Sequence, residues 1–137
     1  MKRIASAHWS GDLKAGQGTV STASKVLNDT QYSYKTRFEN GAGTNPEELL
    51  AAAHAGCFTM ATALQVGMAG FTATSLDTIA TLNLEGTDIT GVHLVIVGKI
   101  PGMTLQKFTE ITKGAEKGCI ISKALKVEIT SECSLVE

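Results

Sequence analysis

The chain has little of several features that mark common protein classes. Among its 137 residues are three cysteines, no Cys-x-x-Cys motif, two prolines and only 5% aromatic residues. Three cysteines cannot form the disulfide framework of a small secreted domain, and the missing motif excludes a zinc ribbon. Scarce aromatic rings argue against the stacking platforms that bind single-stranded nucleic acid.

Charge is equally sparse. Charged residues make up 18% of the chain and the formal net charge is −1. A nucleic-acid surface or a membrane-surface patch would need a clear basic excess. No run approaches the roughly eighteen consecutive apolar residues of a membrane span, and the N-terminus lacks the apolar segment of a signal peptide. We therefore expect one cytoplasmic domain over residues 1–137, with no nucleic-acid or membrane partner.

Glycine and the alternation of residue types divide the chain into short elements. Alternation predicts strands over residues 4–9, 18–22, 31–38, 75–85, 89–100 and 126–136, the first three forming an antiparallel meander. Helical spacing of apolar residues predicts an amphipathic helix over 104–117, followed by one more helical turn over 120–125. With the central helix described next, the order is β-β-β-α-β-β-α-β, an α+β fold.

The central helix has an unusually clear start. Asn45 is a good N-cap, Pro46 suits the first helical position, and Glu47 and Glu48 fall in the positive first turn. The run 49–68 that follows contains no charged side chain, and such a helix is expected to be buried on all sides. One chain of this size has little material to cover it, so we predict a homodimer.

Cys57 lies in the middle of this helix, where a free cysteine can serve as a small buried hydrophobe or as a nucleophile. Gly56 costs about 1 kcal/mol in a helix interior relative to alanine, which indicates close packing or substrate access. His54 lies on nearly the same helical face, although a buried neutral histidine is its usual state. These two residues alone are too few ligands for a metal.

Two further cysteines and one arginine complete the candidates. Cys119 follows Gly118 at a chain turn, where the backbone can adjust to form a disulfide, and Cys133 lies on the apolar parity of the last predicted strand. Arg37 is either a surface charge or, paired with a glutamate, a guanidinium held towards a thiolate. Such a cation would lower the pKa of the thiol.

The stretch from Gly43 to Phe58, GTNPEELLAAAHAGCF, resembles the signature of the OsmC/Ohr family of thiol hydroperoxide reductases. Support runs along the whole chain, and the Trp-x-Gly-Asp and Thr-Arg-Phe segments favour the OsmC branch. The other matching segments are residues 8–12, 18–22, 36–39 and 118–119.

The resemblance implies a peroxidase active on organic hydroperoxides and less so on hydrogen peroxide, in oxidative or osmotic stress defence. Cys57 matches the peroxidatic cysteine, which becomes a sulfenic acid, and Cys119 matches the resolving cysteine, which condenses with it to a disulfide. Arg37 and Glu47 match the polar pair that activates the thiolate, with Glu48 as a second candidate. The resemblance further implies an intertwined homodimer, no cofactor, and an external dithiol or lipoyl-bearing protein as reductant.

One residue departs from the family pattern, and one spacing restricts the site. The family commonly has proline after the resolving cysteine, where this chain has Ile120. Ten residues separate Glu47 from Cys57, which in a straight helix is about 15 Å along the axis and roughly 80° out of phase. Either the helix is broken, or the Arg37–Glu47 pair serves Cys57 of the partner subunit.

Two other functions remain compatible with the residues. A dimeric stress or small-ligand-binding protein would use its cysteines only for packing. A thiol hydrolase would use Cys57 with His54, but it lacks an evident group to orient the histidine.

Overall fold

Turn chemistry shapes the N-terminal part of the protein. A computed structural model describes all residues, 1–137, and these divide into two compact units, Met1–Leu49 and Leu50–Glu137. The first unit holds an antiparallel sheet of β1 (Ala5–Ser10), β2 (Gln17–Thr22) and β3 (Thr30–Tyr32), in that order. Gly18 on β2 is required because a Cβ there would lie 2.5 Å from the Tyr32 ring and 2.6 Å from the Trp9 ring.

The predicted third strand is the main error in this unit. Only Thr30–Tyr32 is strand, and Tyr34–Phe38 forms a short helix, α1. Ser33 and Thr36 form a capping box: the Thr36 amide donates to Ser33 Oγ at 3.3 Å, and the Ser33 amide donates to Thr36 Oγ1 at 2.8 Å. This reciprocal cap turns the chain at Ser33 and ends the strand.

Helix α2 (Pro46–Met68) begins as predicted and runs without interruption. The Glu48 amide donates to Asn45 Oδ1 at 2.7 Å, as expected of an N-cap. One stripe of the helix is buried, at intervals of four residues, formed by His54, Phe58, Thr62 and Val66.

The opposite face of α2 is not covered within one chain. Met60, Leu64 and Met68 are 75%, 65% and 80% exposed. Burial of α2 on all sides is therefore not reached within one chain, as expected from the chain's size, and the homodimer that would cover the exposed face stays a prediction.

By length and composition, α2 is also apolar enough to cross a membrane, with a hydropathy of 1.4 over its best window of 18 residues. The mean over a window reaches this level although no unbroken apolar run exists. A core helix of a soluble protein passes the same test, so one such helix is weak evidence for a membrane span.

The second unit builds its core against a three-stranded sheet, in the order β4 (Ser75–Glu85), β5 (Asp88–Lys99), β6 (Glu128–Leu135). The β4–β5 hairpin is antiparallel, whereas β5 and β6 are parallel and are connected through α3 (Leu105–Gly118) and α4 (Ile120–Ala124). The core combines the buried parity of β5 with apolar side chains of α2 and α3: Val92, Leu94, Ile96, Phe58, Val66, Phe108 and Ala115.

Candidate active site

Arg37 and Glu47 form an ion pair within the first unit. Arg37 lies in the last turn of α1 and Glu47 in the first turn of α2. Arg37 Nε donates to Glu47 Oε1 at 2.9 Å, and Nη2 lies 2.8 Å from the same oxygen as an ion-pair contact. Glu48 is bonded elsewhere, since its Oε2 accepts from Thr44 Oγ1 at 2.7 Å. Of the two candidate glutamates, the structure thus pairs Glu47 with the arginine.

One carboxylate oxygen of the ion pair has no hydrogen-bond partner, and the pair borders a small aromatic cavity. Glu47 Oε2 is buried without a hydrogen-bond partner, and the Arg37 side chain is 45% exposed. The cavity beside Arg37 has a volume of about 260 Å³. Its other walls are Trp9, Leu13, Tyr32, Ser33, Tyr34 and Phe38.

The second unit brings two of the predicted site residues together. Cys57 is half-buried on α2, and Cys119 is buried between the end of α3 and the start of α4. Both are free thiols that line one cavity, and each thiol acts on the pKa of the other. Sixty-two positions apart in the chain, the two sulfurs are thus neighbours in the fold.

The surroundings of Cys57 favour its thiolate. Burial raises the pKa of Cys57, but the hydrogen bond from Cys119, those from the backbone amides of Ile121 and Ile120, and the charge of Lys123 together lower it below the ordinary value. For Cys119, burial and the bond with Cys57 raise the pKa, against weaker effects of Ser122 and the Ile121 amide. Because only the thiolate is a strong nucleophile, Cys57 is the thiol poised to react first.

An apolar cavity of about 660 Å³ opens beside the two sulfurs. Most of its wall is hydrocarbon from α2 and from the start of α4, notably Met60, Ala61, Leu64, Ile120 and Ile121. Such a lining accommodates an alkyl group next to the Cys57 sulfur. Gly56 has nothing within 4 Å of where a Cβ would stand, so it packs against no group of its own chain.

His54 does not serve as a partner for Cys57. It is fully buried, and burial lowers its pKa, so the ring is neutral. Its Nε2 lies 2.7 Å from Ser122 Oγ, which accounts for its one hydrogen bond. This arrangement disfavours the thiol hydrolase, which needs the histidine as the base for Cys57.

The third cysteine lies outside this site, and the side chains of the protein offer no metal-binding cluster. Cys133 is half-buried on β6, where its sulfur lies 3.5 Å from Thr109 Oγ1. No group of three or more His, Cys, Asp or Glu side chains is placed to hold a metal ion.

Comparisons with known proteins identify the family of this chain. A family model described as OsmC-like protein matches residues 39–134. The chain is 50% identical over 133 residues to Peroxiredoxin OsmC of Escherichia coli (strain K12), covering 94% of this chain and 93% of that protein. The chain belongs to the OsmC family.

Solved structures of OsmC-like proteins share the fold. An OsmC-like protein of unknown function from Vibrio cholerae has a TM-score of 0.74 at 17% identity, over 98% of this chain and 99% of that chain. The organic hydroperoxide resistance protein OhrB of Bacillus subtilis has a TM-score of 0.63 at 23% identity, over 97% and 98%. The α+β fold expected from the sequence is therefore confirmed.

Sequence reasoning missed the groups in the second unit that act on the Cys57 thiolate. These are the amides of Ile120 and Ile121 at the start of α4, and the Lys123 side chain. The amides could not be identified from residue type, because nearly every residue carries one. The available signal was position: Cys119 directly precedes a helical turn, and first-turn amides lack partners within the helix.

Ile120 provides one of these amides. Proline has no N–H but suits the first position of a helix, so Ile120→Pro should remove one donor while α4 still forms. We expect the pKa of Cys57 to rise in this variant, and alkylation of Cys57 at pH 7 to slow by about threefold to tenfold, the effect of one hydrogen bond.

The measurement is the rate of iodoacetamide alkylation of Cys57 against pH, with Cys119 and Cys133 replaced by serine in every protein. Ile120→Ala is the control, since the Ile120 side chain is 73% exposed and alanine keeps the amide. Identical pH profiles for Ile120→Pro and Ile120→Ala would show that this amide does not act on the thiolate.

Proposed function

We propose that the chain is a cysteine-based peroxidase that reduces organic hydroperoxides to alcohols, and hydrogen peroxide less well. The observation that carries the proposal is that Cys57 and Cys119 line one apolar cavity, in surroundings that lower the pKa of Cys57. The relative named Peroxiredoxin OsmC, identical at half of the aligned positions, supports the same activity. The whole chain, 1–137, acts as one OsmC-like domain in cytoplasmic defence against oxidative and osmotic stress.

The reaction has three balanced steps. The Cys57 thiolate attacks the outer peroxide oxygen, the O–O bond breaks, and the leaving alkoxide takes a proton to become the alcohol. Cys57 is then a sulfenic acid, and Cys119 attacks its sulfur, forming the disulfide and releasing water. An external dithiol, free or lipoyl-bound, reduces the disulfide by thiol–disulfide exchange and is itself oxidised. No cofactor takes part.

The apolar cavity supports the proposed preference for organic hydroperoxides. Met60, Leu64 and Ile120 line the space beside Cys57 and are largely exposed in the single chain. An alkyl hydroperoxide buries its hydrocarbon part against them, at about 25 cal/mol per Å² of apolar area removed from water, whereas hydrogen peroxide has no such part.

The Arg37–Glu47 pair is assigned to the site of the second subunit in a homodimer. Because α2 is unbroken, Glu47 and Cys57 of one chain remain about 15 Å apart along its axis. The pair therefore serves Cys57 of the partner subunit, where the guanidinium stabilises the thiolate and the developing alkoxide. The exposed apolar residues of α2 support such a dimer, since a second copy would cover them.

The test of the function is a count of thiols. After one equivalent of cumene hydroperoxide per chain, we expect the loss of two thiols, from Cys57 and Cys119, while Cys133 still reacts with a thiol reagent. A dithiol should restore both. Retention of all three thiols would favour the alternative, a non-catalytic dimeric stress or ligand-binding protein with structural cysteines.

Mixed dimers test the assignment of Arg37. Arg37→Ala and Cys57→Ser should each be inactive or nearly so, and neither can supply a complete site on its own. Co-refolding the two is expected to restore activity, because a hybrid dimer has one site with an intact Cys57 and the partner's intact Arg37. Activity no greater than the sum of the separate variants would place both residues in one subunit's site.

A further inference from the structure

Gln65 of α2 binds the backbone of α3, in a contact that the reaction above does not use. Its amide nitrogen faces the Ile111 carbonyl and donates at 3.2 Å, and its amide oxygen faces the Ala115 amide and accepts at 3.1 Å. The opposite orientation would set acceptor against acceptor and donor against donor. One side chain of α2 thus binds the carbonyl and the amide that close one turn of α3.

Gly114 leaves the space that this contact needs. A Cβ at position 114 would lie 2.6 Å from the nearest atom of the Gln65 amide group. Gly114 lies inside α3, where glycine is less favourable to a helix than alanine. The position of the Gln65 amide therefore accounts for a glycine at a place where alanine would favour the helix.

The contact continues through the backbone to Cys119. Ala115, whose amide donates to Gln65, accepts the Cys119 amide on its own carbonyl at 2.9 Å. Ala115 and Cys119 are 0% and 1% exposed, so both are enclosed in the core. Cys119 caps the end of α3 and lines the same cavity as Cys57. Gln65 thus connects the helix that carries Cys57 to the turn that carries Cys119.

A second polar link ties α3 to the sheet. Lys113 Nζ donates to the carbonyl and to the hydroxyl of Ser131 on β6, at 2.8 and 3.1 Å. These bonds hold α3 against β6, whereas the Gln65 contact holds it against α2. The two links can therefore be broken separately.

We propose that Gln65 is a positioning residue for disulfide formation: by binding the α3 backbone beside Gly114, it holds Cys119 where its sulfur attacks the Cys57 sulfenic acid. This inference rests on the proposed function. In the step, the Cys119 S–H bond and the Cys57 S–O bond break, an S–S bond forms, and the proton and the hydroxide leave as water. A thiol held in place reacts as if it were more concentrated, so loss of the contact lowers the effective concentration of Cys119 towards Cys57.

Gly114→Ala tests the proposal without weakening α3. The added methyl group displaces the flexible end of Gln65, while alanine favours the helix. With Cys133 replaced by serine, the equilibrium of the Cys57–Cys119 disulfide with dithiothreitol measures the effective concentration. We expect it to fall about threefold to tenfold, the effect of one lost hydrogen bond, while the thermal unfolding midpoint of the reduced protein does not fall. A contact that only stabilised the fold would change the midpoint and leave the equilibrium unaltered.

Gln65→Met breaks the same contact from the side of α2. Methionine keeps the length of the side chain but has no N–H and only a weak acceptor, so we expect a similar fall. Combining Gln65→Met with Gly114→Ala should cause no further fall, because both changes break one contact. Lys113→Met, which breaks the link to β6, is the matched control and should leave the equilibrium unchanged.

The peroxide reaction provides a second measurement. After one equivalent of cumene hydroperoxide, Gln65→Met should form the Cys57 sulfenic acid at the rate of the unmodified protein. Its conversion to the disulfide, followed by trapping with dimedone, should be about threefold to tenfold slower. A positioning residue of Cys119 slows only this second step.

The outcomes are distinct. An unchanged equilibrium in a folded Gly114→Ala or Gln65→Met, an additive effect in the double variant, or an equal fall in Lys113→Met would overturn the proposal. The equilibrium with dithiothreitol needs no peroxide, so it decides on Gln65 even if the thiol count after cumene hydroperoxide contradicts the proposed function. If the unmodified protein forms no Cys57–Cys119 disulfide under either condition, both proposals fail.

Discussion

Cys57→Ser is expected to abolish peroxidase activity, lowering the rate of organic hydroperoxide reduction by at least about a thousandfold, as removal of a catalytic nucleophile does. Serine keeps the size and the helical position of the residue. A hydroxyl, however, stays protonated at neutral pH, and its oxygen is a poor nucleophile towards peroxide. The hydrogen bonds that lower the pKa of Cys57 are too weak to ionise a serine.

The measurement is the consumption of cumene hydroperoxide with dihydrolipoamide as reductant. Cys133→Ser is the matched control, because Cys133 is also half-buried but lies on β6 against Thr109 of α3 and should be dispensable. Activity retained by Cys57→Ser, or lost equally in Cys133→Ser, would contradict the assignment of the nucleophile.

The elements that were predicted best from the sequence are those whose capping and turn residues agree with their final packing. Asn45 and Pro46 determine the start of α2 by capping and fixed φ, and the structure has the helix there. The β4–β5 hairpin is equally local, with Gly86 at its turn in a left-handed conformation, φ 62°. Both features depend on residues close together in the chain.

The prediction errors arose where reciprocal or longer-range contacts determine the secondary structure or the burial of an element. Residues 31–38 alternate like a strand, but the Ser33–Thr36 capping box and the hydrogen bond of Asn45 Nδ2 to Thr36 O, at 2.8 Å, stabilise α1 instead. The extent of burial around α2 could not be derived either. A uniformly apolar sequence indicates that a helix is buried by other groups, but it does not indicate whether those groups belong to the same chain or to a second copy.

In the candidate site, too, some features could be predicted from the sequence and others required the fold. The motif around Cys57 is long enough to identify the nucleophile candidate from sequence, and the same family pattern marks Cys119. Their pairing needs the fold, because the parallel crossover from β5 to β6 carries α3 and α4, and with them Cys119, to α2. The cation acting on Cys57 within its own unit is Lys123, where sequence reasoning had considered only Arg37.

Cys119→Ser should separate the first chemical step from the second. Cys57 keeps its position, its backbone donors and Lys123, so the first reaction with peroxide should proceed within about threefold of the wild-type rate. Serine cannot form a disulfide, so the sulfenic acid persists and excess peroxide oxidises it to the sulfinic acid. Steady-state turnover with a dithiol should fall about tenfold or more, since resolution is lost.

Mass spectrometry after one and then ten equivalents of cumene hydroperoxide checks this outcome. One equivalent should give a dimedone-reactive Cys57 in Cys119→Ser and an intrachain disulfide in the unmodified protein. Excess peroxide should add two oxygen atoms to Cys57 in the variant far sooner than in the unmodified protein. Because Cys119 is 1% exposed, a serine there must remain buried, and thermal unfolding of Cys119→Ser establishes that it folds. A folded variant with wild-type turnover and no over-oxidation would mean that Cys119 is not the resolving thiol, and that the reductant attacks the Cys57 sulfenic acid directly.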